Sequence, residues 1–195
     1  MRRIAQLVAG IALLVGCGSP TETTAQLQSQ AAAASRGSGE NEDNGSASLR
    51  KDLATLRRVT APFHSFAKAE AAGWSKKITD CMTDPNGAGG MGFHYGNTDL
   101  INSTVSVDKP ELLLYEPEKN GKLSLVAVEY IIPYSFQSRE GPAPVLFGKQ
   151  FKQNDTFQLW GLHVWLWEEN PSGLFASWNP KVGCKYATAV SAMSH

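Results

Sequence analysis

The sequence lacks the features that mark several common function classes. It has no excess of basic residues, with 18 basic and 18 acidic side chains among 195 residues, whereas a nucleic-acid binder needs such an excess to neutralise phosphates. It also has no GxSxG nucleophile motif, no phosphate loop of the GxxxxGKS type and no HExxH metal motif. Nucleic acid is therefore not expected as a partner, and no nucleophilic enzyme class is indicated.

Long apolar runs are also scarce, because only residues 4–16 approach membrane length. These 13 residues are too few for a bilayer-spanning helix, which needs about 20. The run follows Met1-Arg2-Arg3, and a short basic segment before an apolar one is typical of a secretory signal. Its end, Leu14-Val15-Gly16-Cys17, resembles the bacterial lipobox, in which the signal is removed and the cysteine is acylated.

The lipobox resemblance implies a protein held in the cell envelope by a lipid, such as palmitate, on Cys17. The membrane is then a partner through this anchor alone. Gly18 stands where an Asp would favour the inner membrane, so the outer membrane is favoured if the organism is Gram-negative. Loss of Arg2 and Arg3 with residues 1–16 leaves 16 basic and 18 acidic side chains, a net charge of −2.

The sequence contains three cysteines, and lipidation of Cys17 leaves Cys81 and Cys184. Export places these two in an oxidising compartment, where a cysteine pair indicates a disulfide. The alternative, a thiolate metal site, needs further ligands nearby, and the sequence has no CxxC pair. We therefore predict a Cys81–Cys184 disulfide.

Composition divides the chain into four parts. Residues 1–16 are the predicted signal peptide, and residues 17–46 are predicted to be a lipidated, disordered tether because Leu27 is their only large apolar residue. Residues 47–186 are predicted to form a single globular domain, and residues 187–195 a flexible tail.

The domain is predicted to be α+β, with an N-terminal helix packed on a small antiparallel sheet. Apolar residues recur at helical spacing from residue 49 onward, and Pro62 is expected to kink or break the helix. Strands are predicted at 112–115, 123–132 and 158–167, with a hairpin turn at Asn120-Gly121 between the first two. The glycine-rich stretch 84–92 and residues 134–157 are predicted to be loops. A long ordered C-terminal loop is expected to be held by Cys184.

Several segments resemble those of an uncharacterised family of secreted bacterial proteins and lipoproteins. This resemblance spans most of residues 55–184 and implies one coherent domain, but no particular activity. The segments that carry it are 90–95 (GMGFHY), 110–117 (PELLLYEP), 125–130 (LVAVEY), 162–167 (LHVWLW) and 173–180 (GLFASWNP).

Three polar residues stand out because they interrupt apolar segments. Glu129 lies in a strand that is apolar on both faces, and a buried charge needs a partner; His94 and His163 lie in similar surroundings. Two imidazoles and a carboxylate suit a divalent transition metal such as Zn²⁺, Fe²⁺, Mn²⁺ or Cu²⁺. The alternatives are a buried hydrogen-bonded network of Glu⁻ with His⁺, Tyr or Trp donors, and three unrelated exposed positions.

Tryptophans are concentrated in the C-terminal part, and Trp165, Trp167 and Trp178 are candidates for an aromatic ligand surface. Aromatic residues at this density also suit a hydrophobic core. The sequence thus favours a non-catalytic ligand-binding or structural domain of the cell envelope, with no identified small-molecule or protein partner. The alternative is a metal-binding protein or metal-dependent enzyme that uses His94, Glu129 and His163.

Overall fold

The computed structural model describes residues 44–191, of which residues 45–191 belong to one compact unit. The predicted signal peptide, Cys17 and the predicted tether up to residue 43 lie outside the described residues, as do residues 192–195. Within the described range, no helix is long and apolar enough to cross a membrane.

The N-terminal helical region is broken at Pro62, as predicted. Helix α1 covers residues 44–60 of the described range, a 3-10 turn follows at Ala61–His64, and helix α2 is Phe66–Ala71. The break arises because proline has no backbone N–H to donate and its ring displaces the preceding turn.

The remaining elements are eight strands, a second 3-10 turn and a short C-terminal helix. The six-stranded sheet has the order β1-β2-β3-β4-β8-β7, and all its neighbouring strands are antiparallel. It is curled, and β5 and β6 form a separate hairpin. The bounds are β1 Lys76–Thr83, β2 Gly90–Gly96, the 3-10 turn Thr98–Leu100, β3 Leu112–Pro117, β4 Leu123–Pro133, β5 Val145–Leu146, β6 Lys149–Gln150, β7 Lys152–Asn154, β8 Leu159–Val164 and α3 Ala187–Ser191.

The central strands β3 and β4 are buried on both faces, which explains their continuous apolar sequences. One face packs against the helical region, where Leu56 and Trp74 meet Leu113 and Tyr130. The opposite face carries a second cluster, whose members are Met91, Leu112, Leu114, Val126, Ala127, Ile131, Trp165 and Val182.

Two stretches predicted as loops contain strands. The glycine-rich stretch turns at its start, but its last residues, from Gly90 onward, belong to β2. The strand needs glycine at position 92, because its φ is +82° and a Cβ atom there would be only 2.3 Å from the Tyr115 carbonyl oxygen. The segment 134–157 contains β5, β6 and β7, and β7 forms the sheet edge beside β8.

The C-terminal segment packs on the domain and is joined to β1 by the Cys81–Cys184 disulfide, which confirms that prediction. Its course is fixed by hydrogen bonds, including the one that Trp165 Nε1–H donates to the Ala176 carbonyl at 2.7 Å.

Two predicted boundaries need correction. Residues 44–46 are helical rather than part of a tether, and residues 187–191 form α3, which begins with a hydrogen bond from the Ala187 N–H to the Cys184 carbonyl.

Candidate metal centre

Three strands of the six-stranded sheet carry the three predicted site residues. His94 lies on β2, Glu129 on β4 and His163 on β8. Glu129 pairs directly with His163 across the β4–β8 ladder, and it pairs with Leu112 of β3 on its other side. Because residues paired across an antiparallel ladder point to the same face, this register places the glutamate and His163 side by side.

The curl of the sheet brings His94 to the same place. Strands β2 and β8 are separated by β3 and β4, so in a flat sheet they would lie about 14 Å apart, given about 4.8 Å between neighbouring strands. The His94 and His163 ring centroids are nevertheless only 6.2 Å apart. The three side chains therefore meet on the inner side of the curl.

The ligand-type atoms of the three residues lie close together. His94 Nε2 lies 3.5 Å from Glu129 Oε2, and His163 Nε2 lies 3.7 Å from Glu129 Oε1. All three residues can offer atoms within 4.8 Å of one another. The site is buried, since His94 is 3 % and Glu129 6 % exposed, which rules out the alternative of three unrelated exposed positions.

The Nε2 atom of His163 has no hydrogen-bond partner in this arrangement. Among the residues that the structure describes, its Nε2 is the one buried side-chain nitrogen or oxygen that has no hydrogen-bond partner. The separation of 3.7 Å from Glu129 is longer than an N–H···O hydrogen bond, which spans about 2.7–3.2 Å. A buried polar group left in this way is costly unless something else satisfies it.

Burial disfavours charge on all three side chains. It lowers the pKa of His94 to about 4 and that of His163 to about 3, and it raises the pKa of Glu129 to about 8. The carboxyl–imidazole distances would otherwise suit ion pairs, but at neutral pH these values give two neutral imidazoles and a protonated carboxyl. The network of Glu⁻ with His⁺ is therefore not the favoured interpretation.

Thr79 fixes the orientation of the His94 ring. It lies on β1 opposite His94 in the ladder, and its Oγ1 is 2.8 Å from His94 Nδ1. When Nε2 acts as a metal ligand, Nδ1 carries the proton and donates a hydrogen bond to the threonine hydroxyl. Such a second hydrogen bond is the usual way in which a protein orients a ligating histidine.

Gly161 makes room for the carboxyl group. It lies two residues before His163 on β8, and a Cβ atom at this position would be 2.8 Å from Glu129 Oε1. A glycine inside a strand often marks the close approach of another group. A glycine within the apolar segment 159–164 is therefore the sequence signal for this position. Thr79 was missed because β1 itself was not predicted.

Two adjoining cavities reach the site: the first contacts all three residues, and the second contacts Glu129 and His163. The first has a volume of about 250 Å³ and is lined mainly by apolar side chains; the second has about 210 Å³ and includes Lys152 and Ser177. Residues that line both are Met91, Glu129, Asn154, His163 and Trp178. The site can therefore be approached from an apolar side and from a more polar side.

The three candidate tryptophans do not form one ligand surface. Trp165 is buried in the core cluster on the site face, whereas Trp167 packs with the cluster on the helical side and donates its Nε1–H to Thr60 Oγ1. Trp178 lines both cavities. The predicted surface of three tryptophans is thus corrected to Trp178 alone as a cavity-lining residue, whereas the buried Trp165 ring stacks on His163 with ring centroids 6.4 Å apart. Trp167 lies on the other face because β8 ends at Val164 and the chain after it no longer alternates between two faces.

Comparison of the chain with protein-family models, with curated proteins and with solved structures gives no match, so the description of this centre depends on its own geometry.

Proposed function

We propose that the protein binds one divalent transition metal ion through His94, Glu129 and His163, with further coordination positions open to the apolar cavity. The observation that carries the proposal is the buried, unpartnered His163 Nε2, aimed at two other ligand-type groups. Ligand atoms about 2.1 Å from a tetrahedral ion lie about 3.4 Å from one another. The two histidine–carboxyl distances, 3.5 Å to Oε2 and 3.7 Å to Oε1, are close to this value and too long for direct hydrogen bonds. All the ligand atoms lie within 4.8 Å of one another, so metal binding requires a small inward shift of the side chains.

Three protein ligands leave at least one position for water or a bound molecule. Two histidines and one carboxylate are a ligand set found with catalytic Zn²⁺ and with non-haem Fe²⁺. A metal ion in this position could polarise an oxygen atom of a bound molecule. The three residues are those of the metal-binding alternative predicted from the sequence. The adjoining cavity supports a ligand-binding role as well.

We also propose that the domain works in the cell envelope, attached through lipidated Cys17. Support comes from the signal-like residues 1–16 and from the Cys81–Cys184 disulfide. Structural disulfides persist mainly in exported proteins, whereas cytosolic thiols are kept reduced.

Titration calorimetry of the full chain with Zn²⁺ at pH 7 tests the metal site. We expect one Zn²⁺ per chain and the release of about one proton, because Glu129, whose pKa is raised to about 8, must lose its proton to bind the metal. The histidines, whose pKa values are lowered to about 4 and 3, contribute no proton. Buffers of different ionisation enthalpy give the number of protons; absence of stoichiometric binding would contradict the proposal.

Gly161→Ala tests the geometry around the carboxyl group. The new methyl group would lie 2.8 Å from Glu129 Oε1, so the carboxyl must move away from the position in which it faces both histidines. We expect Zn²⁺ affinity to fall about tenfold or more, the range seen when groups supporting a metal ligand are disturbed. Gly183→Ala is the matched control, since its Cβ meets nothing within 4 Å. Equal Zn²⁺ affinity for both variants would show that the carboxyl position is unimportant.

A further inference from the structure

The larger cavity beside the three residues has the character of a site for an apolar molecule. Its walls include Met82, Met91, Leu112, Ile131 and Leu159, and the two sulfur-containing side chains can adapt to a ligand's shape. Its polar lining is limited mainly to the site residues themselves and to Thr79, Asn154 and Thr156. Of these polar residues, His94 and Glu129 are the buried ones, so polar recognition deep in the cavity falls to the site residues.

The opening of this cavity is marked by exposed hydrophobic side chains. Ile78 is 39 % and Phe157 45 % exposed, and both belong to the cavity lining. Ile78 lies on β1 and Phe157 in the turn before β8, so the two residues come from opposite parts of the sheet order. Large apolar side chains exposed beside a cavity commonly mark a ligand-binding groove.

The volume of the cavity limits the size of the molecule. A buried apolar cavity of about 150 Å³ holds benzene, so a cavity of about 250 Å³ suits a body of about ten carbon atoms. This is the size of a medium-length acyl chain or a bicyclic aromatic group.

The charge of the metal centre sets the chemistry of the head group. A divalent ion held by one carboxylate and two neutral imidazoles has a net charge of +1 in a buried place. Lys152 donates a hydrogen bond from its Nζ to the Ser177 hydroxyl at 3.2 Å. It lines the second cavity together with His163 and adds positive charge there. A net positive charge away from water favours an anionic ligand.

We propose that the cavity binds a monocarboxylic acid with an apolar body of about ten carbon atoms. Its carboxylate completes the coordination of the metal ion, and its hydrocarbon part lies between the methionine-lined wall and the opening at Ile78 and Phe157. This inference rests on the proposed metal site and assigns a ligand class to it.

Titration of the Co²⁺-loaded full chain with octanoate tests the inference, because the visible absorption of Co²⁺ reports its coordination. We expect octanoate to change the spectrum and to bind at least about tenfold more tightly than acetate, since its chain buries additional CH₂ groups. Octanol, which has the chain without the anion, should leave the spectrum unchanged.

A double variant at the opening separates the hydrocarbon contacts from the metal. Ile78→Ser with Phe157→Ser removes two apolar side chains that are already partly exposed and are not metal ligands. We expect octanoate binding to weaken about tenfold, with the Co²⁺ spectrum and the weak binding of acetate unchanged.

The outcomes distinguish this inference from the proposal on which it rests. A normal Co²⁺ spectrum with octanoate binding no more tightly than acetate would overturn the ligand class and leave the metal site standing. Octanoate binding that is unaffected by the double variant would also overturn it. Failure of the chain to bind Co²⁺ would overturn the metal site and this inference together.

Discussion

Replacement of Glu129 by glutamine is expected to lower Zn²⁺ affinity by about 100-fold or more without unfolding the protein. The amide has the shape of the protonated carboxyl, which is the form that burial favours in the metal-free protein at pH 7. It cannot supply the anionic oxygen that neutralises half of the metal charge. Competition with a chromophoric chelator measures the affinity, and thermal unfolding measures the stability.

Glu111→Gln is the matched control for this experiment. Glu111 is 1 % exposed, and burial raises its pKa to about 8, as it does for Glu129. Its Oε2 accepts a hydrogen bond from the Ile131 N–H, but the residue is not among the three converging ligands. The control should retain Zn²⁺ affinity; a similar loss in both variants would mean that any buried carboxyl matters, and that Glu129 is not a specific ligand.

Glu129→Gln should also change how the stability of the metal-free protein depends on pH. The pKa of Glu129 is raised from 4.5 to about 8 on folding, so its contribution to stability is fully present below pH 4.5 and is lost as the pH rises through about 8. For one such group the slope approaches about 1.4 kcal/mol per pH unit. Between pH 6.5 and 8, Glu129→Gln should remove the part of this slope in unfolding free energy that comes from Glu129. The part that comes from Glu111 should remain.

Loss of the Cys81–Cys184 disulfide is expected to lower the free energy of unfolding by up to about 4–5 kcal/mol, the chain-entropy value for a loop of about 100 residues. The two cysteines are 103 residues apart in sequence, so the bond restricts most of the domain in the unfolded state. It also joins β1, which carries Thr79, to the segment that carries Trp178.

Denaturant unfolding of Cys81→Ser with Cys184→Ser measures this contribution. A reducing agent should bring the wild-type protein close to the stability of the double variant and leave the variant itself unchanged, which controls for other effects of the reagent. A difference below about 1 kcal/mol between the two proteins would contradict the expected role of the bond.

The parts of the fold that were predicted from sequence are those with strong local patterns. Strands β3 and β4 combine continuous apolar residues with the Asn120-Gly121 turn, and the helical break follows from the chemistry of Pro62. Strand β1 was missed because it lies at the sheet edge with five exposed positions and three partly exposed ones, so no alternation marks it. Strand β2 was missed because its glycines, at 90, 92 and 96, are typical of turns.

The candidate site was predictable in its residues but not in its geometry. His94, Glu129 and His163 could be selected because each is a polar exception in an apolar segment. Their convergence depends on strand order and on the curl of the sheet, which are set by contacts between distant segments. Sequence spacing alone carries no information on either property.

Crystals of the full chain grown with Zn²⁺ and measured at the zinc absorption edge show directly whether His94, Glu129 and His163 hold a metal ion. We expect one anomalous peak per chain, about 2.0–2.2 Å from His94 Nε2, His163 Nε2 and a Glu129 carboxylate oxygen. A peak elsewhere in the molecule, with the three side chains unchanged and no density between them, would contradict it.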